Sequence, residues 1–228
     1  MIRSKSIADL REQLGAVQRR AGDEARLSTC TGVDLRRSVL HEWFTVCDAP
    51  PLIPMLDVVL RGFASGALTR LVWIGRAVFP YPALLAGHRM VLRASVFVDP
   101  PDLPARLWAI DLVARGRSPT AVIADGQRFT PAHTRRLQLA SGTGRGVCLL
   151  ARPARDLQEL SAATTRWRVE PCPGPGVGWT LTLVRNKDQP AFTDESRSWR
   201  VEWSDAQGLI HVPAVVGGRT RLAPARTA

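Results

Sequence analysis

Phosphate chemistry is the first possibility the residue types raise. TAVIAD (120–125) is an apolar run that ends in an acid, Asp125, the arrangement that orients a magnesium shell in nucleotide hydrolases. Asp125-Gly126 is also a common turn pair, so the same residues support a purely structural reading. The other half of such a site needs G-x-x-x-x-G-K-[ST]: glycine amides wrap the phosphates, the lysine reaches the terminal phosphate and the hydroxyl binds magnesium. Lys5 and Lys187 are the only lysines, and neither follows a glycine. Where that loop belongs stands TVCDAPPL (45–52), with two prolines that lack N–H groups and with Asp48, whose charge repels phosphate. ATP is therefore not expected to be held in the standard way. The glycine cluster SGTGRG (141–146) precedes an apolar run, whereas a dinucleotide fingerprint must follow one, and reads as a helix stop.

The other reactive residue types form no constellation. There is no G-x-S-x-G, and His41, His88, His133 and His211 are dispersed, which disfavours a hydrolase. His41, inside VLHEWF, reads as a hydrogen-bonding residue of a strand end. Cys30, Cys47, Cys148 and Cys172 form no CxxC pair, so neither a zinc site nor a disulfide framework is expected, and Cys148 in GVCLL reads as a small hydrophobe. Trp43, Trp73, Trp108, Trp167, Trp179, Trp199 and Trp203 mostly fall at core-facing phases and read as packing, with base stacking a minor option.

These residues need a scaffold, and its rhythm is readable. Residues 5 to about 27 predict a helix with Ile7, Leu10, Leu14 and Val17 on one face. SVLHEWF (38–44) predicts a strand, followed by a loop and a helix in PMLDVVLRGF. RLVWIG (70–75), TAVIAD and VCLL (147–150) predict buried strands. Between them run two helices, one from Asp102 to Gly116 with Pro104 in its first turn, the other from Thr130-Pro131 to Gly142. Wholly apolar strands alternating with helices imply a parallel sheet covered on both faces. In the last third the period becomes two: Trp167 and Val169, then Trp179, Leu181 and Leu183, then Trp199, Val201 and Trp203 predict three antiparallel strands. The end of the chain, VGGRTRLAPARTA, has no periodic apolar face and reads as a flexible tail.

Composition fits that picture. The 228 residues, 45% hydrophobic and 22% charged, are enough for one large domain with a core of its own. The most apolar stretch, 49–60, carries Asp57 and three prolines, and Asp9 and Glu12 interrupt the N-terminal segment, so a soluble, unexported, cytoplasmic protein is expected. Against 20 acids stand 31 basic residues, a formal charge of +11, which points to a polyanionic or acidic partner. All basic residues but two are arginines, suited to bidentate contacts with phosphate and carboxylate.

Several segments together resemble the ImuA family, RecA-like accessory proteins of damage-induced mutagenesis in bacteria, often encoded beside an atypical Y-family polymerase subunit. They are LHEW, LVWI, YPALLA, RLQLAS, SAATTRWRVEP and TLTLVRNKDQP, spanning roughly residues 38 to 205. The resemblance implies an α/β fold with a RecA-like core: a mainly parallel central sheet flanked by helices, with antiparallel strands added in the C-terminal third. It also implies an organisation of N-terminal helix or arm (1–30), RecA-like domain (31–212) and flexible basic tail (213–228). Arg185-Asn186-Lys187 stands where RecA has a Lys-Asn-Lys that reaches a nucleotide on the neighbouring subunit, and Asp125 matches the strand-end acid. With no phosphate-loop lysine or hydroxyl, and with Gly75-Arg76 where such ATPases place their catalytic glutamate, the resemblance implies a pseudo-ATPase with a vestigial nucleotide site of Asp125, Arg185 and Lys187, no catalytic turnover and no cofactor. The implied partners are RecA, an ImuB-like polymerase subunit, or both, with Arg185, Lys187, Arg219, Arg221 and Arg226 contacting DNA or an acidic partner and with no membrane role. The alternative is a basic single-stranded DNA-binding module without a dedicated protein partner.

Overall fold

The computed structural model describes residues 26–47, 49–173, 176–189, 198–204 and 208–213. The expected helix over 5–27 lies outside them except for its last two residues. These are strand: β1 (Arg26–Leu27) pairs with β2 (Leu35–Arg36). The C-terminal tail, with Arg219, Arg221 and Arg226, and Asp48 also lie outside the described residues.

Nine strands form one sheet: β3 (Leu40–Thr45), β4 (Arg70–Ile74), β5 (Ser95–Val98), β6 (Thr120–Asp125), β7 (Val147–Pro153), β8 (Thr165–Pro171), β9 (Gly178–Asn186), β10 (Ser198–Ser204) and β11 (Leu209–His211). Their order is β11-β10-β9-β8-β3-β7-β6-β4-β5. From β8 to β5 all neighbours are parallel, and from β8 through β9 and β10 to β11 they are antiparallel. The mixed α/β architecture expected from the two periodicities is therefore present, with β8 as the hinge between the regimes.

β3 and β6 are buried at every position, because helices cover both faces. On one face Trp43, Trp73, Leu149 and Trp167 pack under Met55, Val58 and Val59 of α1 (Leu52–Ala64). On the other, Leu40, Val122 and Leu150 pack under Leu107 and Ile110 of α4 (Leu103–Ala114) and Leu137 of α5 (Pro131–Thr143). Short helices α2 (Pro82–Ala86) and α3 (Arg89–Arg93) lead into β5. No helix among the described residues is long and apolar enough to cross a membrane.

Capping sets the helix starts. The Asp102 carboxylate accepts the Ala105 amide at 2.8 Å, and Thr130 and His133 cap each other reciprocally at the start of α5. α1 has no side-chain cap and is held by burial, and by Asp57. One Asp57 oxygen accepts from Arg61 Nε at 2.8 Å and the other from the Ile210 amide, while Arg61 also donates to the Ile210 carbonyl, so one helix turn grips both backbone polar groups of Ile210 in β11. Burial raises the Asp57 carboxyl above its ordinary pKa despite Arg61.

Several details differ from the sequence reading. β5, β11 and the short helices α2 and α3 were not expected. β7 runs on from Leu150 to Pro153, so Arg152 belongs to a strand. α5 continues through Gly142 and stops at Gly144. Trp108 faces outward, 60% exposed, while Trp43, Trp73 and Trp167 are buried. The glycine cluster is the helix stop it was read as, and Gly146 meets a close backbone approach there: a Cβ would lie 2.0 Å from the Thr120 carbonyl oxygen.

His41 is structural. Its Nε2 donates to the Arg36 carbonyl at 2.8 Å, leaving Nδ1 to accept from Thr165 Oγ1 at 2.7 Å, a neutral imidazole whose tautomer is set by its partners. Burial pushes it down from 6.5 to about 4, only partly offset by the Arg36 carbonyl. Protons thus bind the unfolded chain first: the contribution is complete above pH 6.5 and is lost as pH falls from 6.5 towards 4, by up to about 3 kcal/mol. Urea unfolding at pH 7.5 and 4.5 should show wild type losing roughly 2–3 kcal/mol more than His41→Gln; equal losses would remove His41 from the linkage.

Candidate functional site

The C-terminal ends of parallel strands are where open α/β sheets bind ligands, at the crevice where successive connections leave by opposite faces. Here β3 exits to α1 on one face and β6 to α5 on the other. Between them lies a crevice of about 350 Å³, lined among others by Thr45, Cys47, Asp125, Gln127, Arg152 and Arg155.

Few amides face this crevice from the β3–α1 loop. The Cys47 N–H donates to Thr45 Oγ1 at 3.2 Å, and the Leu52 N–H to the Pro50 carbonyl at 2.8 Å. Pro50, Pro51 and Pro54 have no N–H. In the first turn of α1 only Ile53 keeps an uncommitted amide, whereas phosphate binding at a helix N-terminus uses several.

Asp125 lines the crevice but its carboxylate is engaged. One oxygen accepts the Gln127 amide at 2.9 Å, closing the turn, and the other is ion-paired with Arg106, which also donates to the Gln127 carbonyl. Arg106 thus occupies the ground where a metal shell would form. Gly75, at the end of β4, lies against this pair. Its φ is +95°, and a Cβ there would come within 3.0 Å of Asp125 Cβ and 3.4 Å of Arg106 Cδ. The next residue, Arg76, points to Asp99 at 2.6 Å.

Beneath the crevice lies a cluster of buried charge. Glu42, fully buried in β3, accepts from Arg152 of β7 at 2.8 Å and from Arg166 of β8 at 2.9 Å. Arg152, also fully buried, further donates to Asp156, to Glu159 and to the Phe129 carbonyl. Arg166 donates to the Leu157 and Asp156 carbonyls, and its guanidinium lies 4.6 Å above the Phe44 ring. Burial opposes the Arg152 charge, but Glu42 and Asp156 outweigh it and hold its pKa above the ordinary value. The cation nearest the crevice floor is therefore fully committed to protein carboxylates.

Arg185 and Lys187 do not line this crevice. At the end of β9 they bind one loop: Arg185 donates to the Ser161 and Ala163 carbonyls at 2.9 and 3.0 Å, and Lys187 Nζ to Ala162 at 2.7 Å. Burial and then the Arg166 charge lower the Arg185 pKa, and burial and then Arg185 lower that of Lys187. The structure thus brings Arg185 and Lys187 together, apart from Asp125. Sequence reasoning missed Arg106, Glu42, Arg152, Arg166 and Asp156. The one available signal was a charged residue, Glu42, inside an otherwise apolar strand segment.

No protein-family model matches the chain, and no curated protein matches it. Solved structures do: a crystal structure of the RadB recombinase aligns with a TM-score of 0.54 at 13% identity, covering 78% of this chain and 92% of that one. The likeness shows the fold, a RecA-like core with antiparallel strands added at its C-terminal side.

Removing one member of a buried ion cluster strands the others. Arg152→Ala should lower stability by about 3–5 kcal/mol in urea unfolding, whereas Arg155→Ala, exposed on the same crevice, should stay within about 0.5 kcal/mol.

Proposed function

We propose that the chain is a non-catalytic RecA-like adaptor of DNA damage-induced mutagenesis. In this reading it binds RecA, an ImuB-like Y-family polymerase subunit, or both, and helps place an error-prone polymerase at damaged DNA. The observation that carries the non-catalytic part is the filled crevice: Arg106 on Asp125, Arg152 on Glu42 and Asp156, and prolines in place of amide donors. Phosphoryl transfer depends on a free cation and a metal-ordering carboxylate at the phosphates, and here both groups are neutralised by each other or by neighbours. The partner assignment rests on the ImuA-like segments SAATTRWRV and LTLVRNK. In this reading Arg185 and Lys187, which lie apart from the chain's own crevice and are bound to the loop 161–163, contact the partner instead of a nucleotide.

The test has two arms. Purified protein should hydrolyse no ATP, alone or with single-stranded DNA; turnover abolished by Asp125→Ala would overturn the non-catalytic reading. A tagged pull-down from DNA-damaged cells, treated with nuclease and read by mass spectrometry against an untagged control, should recover RecA or a Y-family polymerase subunit. Recovery of neither would overturn the adaptor reading.

A further inference from the structure

The charges of the parallel sheet are sorted by edge. Past the C-terminal ends of its strands acids and arginines are mixed: of Asp99, Asp102, Asp125, Asp156 and Glu159, all but Asp102 are paired with Arg76, Arg106 or Arg152. At the N-terminal ends arginines stand without acids. Arg37 precedes β3, Arg70 opens β4, Arg93 precedes β5, Arg117 precedes β6 and Arg145 precedes β7. The segments 36–39, 67–70, 93–95, 115–119 and 142–146 contain no acid. Arg70, Arg93, Arg117 and Arg145 are exposed and have no ion pair among the described residues. The carboxylates nearest to Arg93 and Arg117 in sequence, Asp99 and Asp111, are already held by Arg76 and by Arg115 and Arg136.

Backbone hydrogen bonds stitch these segments into one band. The Ser38 amide donates to the Gly146 carbonyl at 2.6 Å, Arg145 to Gly116 at 3.1 Å, Thr69 to Pro119 at 2.9 Å and Leu71 to Ala94 at 3.1 Å. The order β3-β7-β6-β4-β5 is followed without a gap. At about 4.8 Å between strands the band is roughly 20 Å wide, about six nucleotides of a strand at 3.4 Å each. None of the large exposed hydrophobic side chains falls within its segments. Arginine, serine, threonine and glycine make it up instead, the donors that contact phosphate backbones. The exposed Leu92 and Val96 flank the band only at its β5 end, so elsewhere along it a protein partner finds no apolar anchor.

We propose that this N-terminal sheet edge, opposite the crevice, is a nucleic-acid-binding surface that holds the phosphate backbone through Arg70, Arg93, Arg117 and Arg145. The inference stands on charge placement and is independent of the protein partner, whose pull-down is done under nuclease. The test is fluorescence anisotropy with 5′-labelled dT30 between 50 and 200 mM NaCl. R70Q/R93Q/R117Q/R145Q should bind at least about tenfold more weakly than wild type, with a salt slope shallower by about 3, close to 0.7 for each of four phosphate contacts. R128Q/R135Q/R155Q/R200Q removes the same charge elsewhere and should bind within about twofold of wild type. If the quadruple variant melts early, the pairs R70Q/R145Q and R93Q/R117Q each serve, with about half the slope change. No binding by wild type, or equal weakening by both quadruple variants, would overturn the surface. Competition by poly-glutamate as effective as unlabelled dT30 would overturn it in favour of an acidic protein.

Discussion

Glu42 is a carboxylate without water, and much of the structure is arranged around that fact. It sits on β3, the middle strand of the nine, on the same side as Phe44, with a guanidinium arriving from each neighbouring strand. Two carboxylates, Glu42 and Asp156, face two guanidiniums, Arg152 and Arg166, with Glu159 at the rim, so the interior is close to neutral. Such clusters are weak sources of stability, since well-packed apolar side chains often do as well. What this one supplies is register. Slipping β3 by one residue would turn Glu42 towards Trp43's present company and leave both arginines unpaired. Strands β3, β7 and β8, far apart in sequence, are thereby locked in one alignment.

The same cluster determines what the crevice above it offers. Arg152 reaches the crevice floor along β7, but every bond it makes turns it downwards and sideways into protein. Arg106 does the same for Asp125 from the side. At the crevice end the charges of Glu42, Arg106, Asp125 and Arg152 are spent internally, whereas Arg70, Arg93, Arg117 and Arg145 at the other end of the strands have no ion pair among the described residues. Function and fold divide the sheet between its two edges.

The elements were legible where one physical rule acted alone. Buried strands read as unbroken apolar runs, α4 and α5 announced their starts through Asp102 and Thr130, and the shift to alternation at Trp167 marked the antiparallel end. β5 escaped because it is a short edge strand whose apolar run, Val96 to Val98, is only three residues long and leaves Val96 and Phe97 exposed. The site was legible only in its negatives: the missing phosphate-loop residues could be seen, their replacement could not. Glu42 lies 110 residues from Arg152 and 124 from Arg166, and nothing local in any of them indicates the others. Asp125 supports both a turn reading and a place in a vestigial nucleotide site; the turn is present, while Arg106, 19 residues earlier on α4, gives no sign of reaching it. Arg185 and Lys187 were recognisable as a pair and not as a clamp on carbonyls 161–163, because backbone acceptors leave no trace in side-chain chemistry.

Gly75 bears on the history such a chain can have. A glutamate introduced there would enter at a φ of +95°, where a side chain is strained, and against Asp125 and Arg106. Relieving the collision first, by removing Arg106, would expose the Asp125 carboxylate with no cation and no metal-binding loop to employ it. Each single step towards a hydrolytic centre is worse than the starting point, and only several simultaneous changes would cross the gap. The glycine thus acts as a latch: a larger residue at this position needs Asp125 and Arg106 to give way together, so substitutions that arrive one at a time leave the Arg106–Asp125 pair in place.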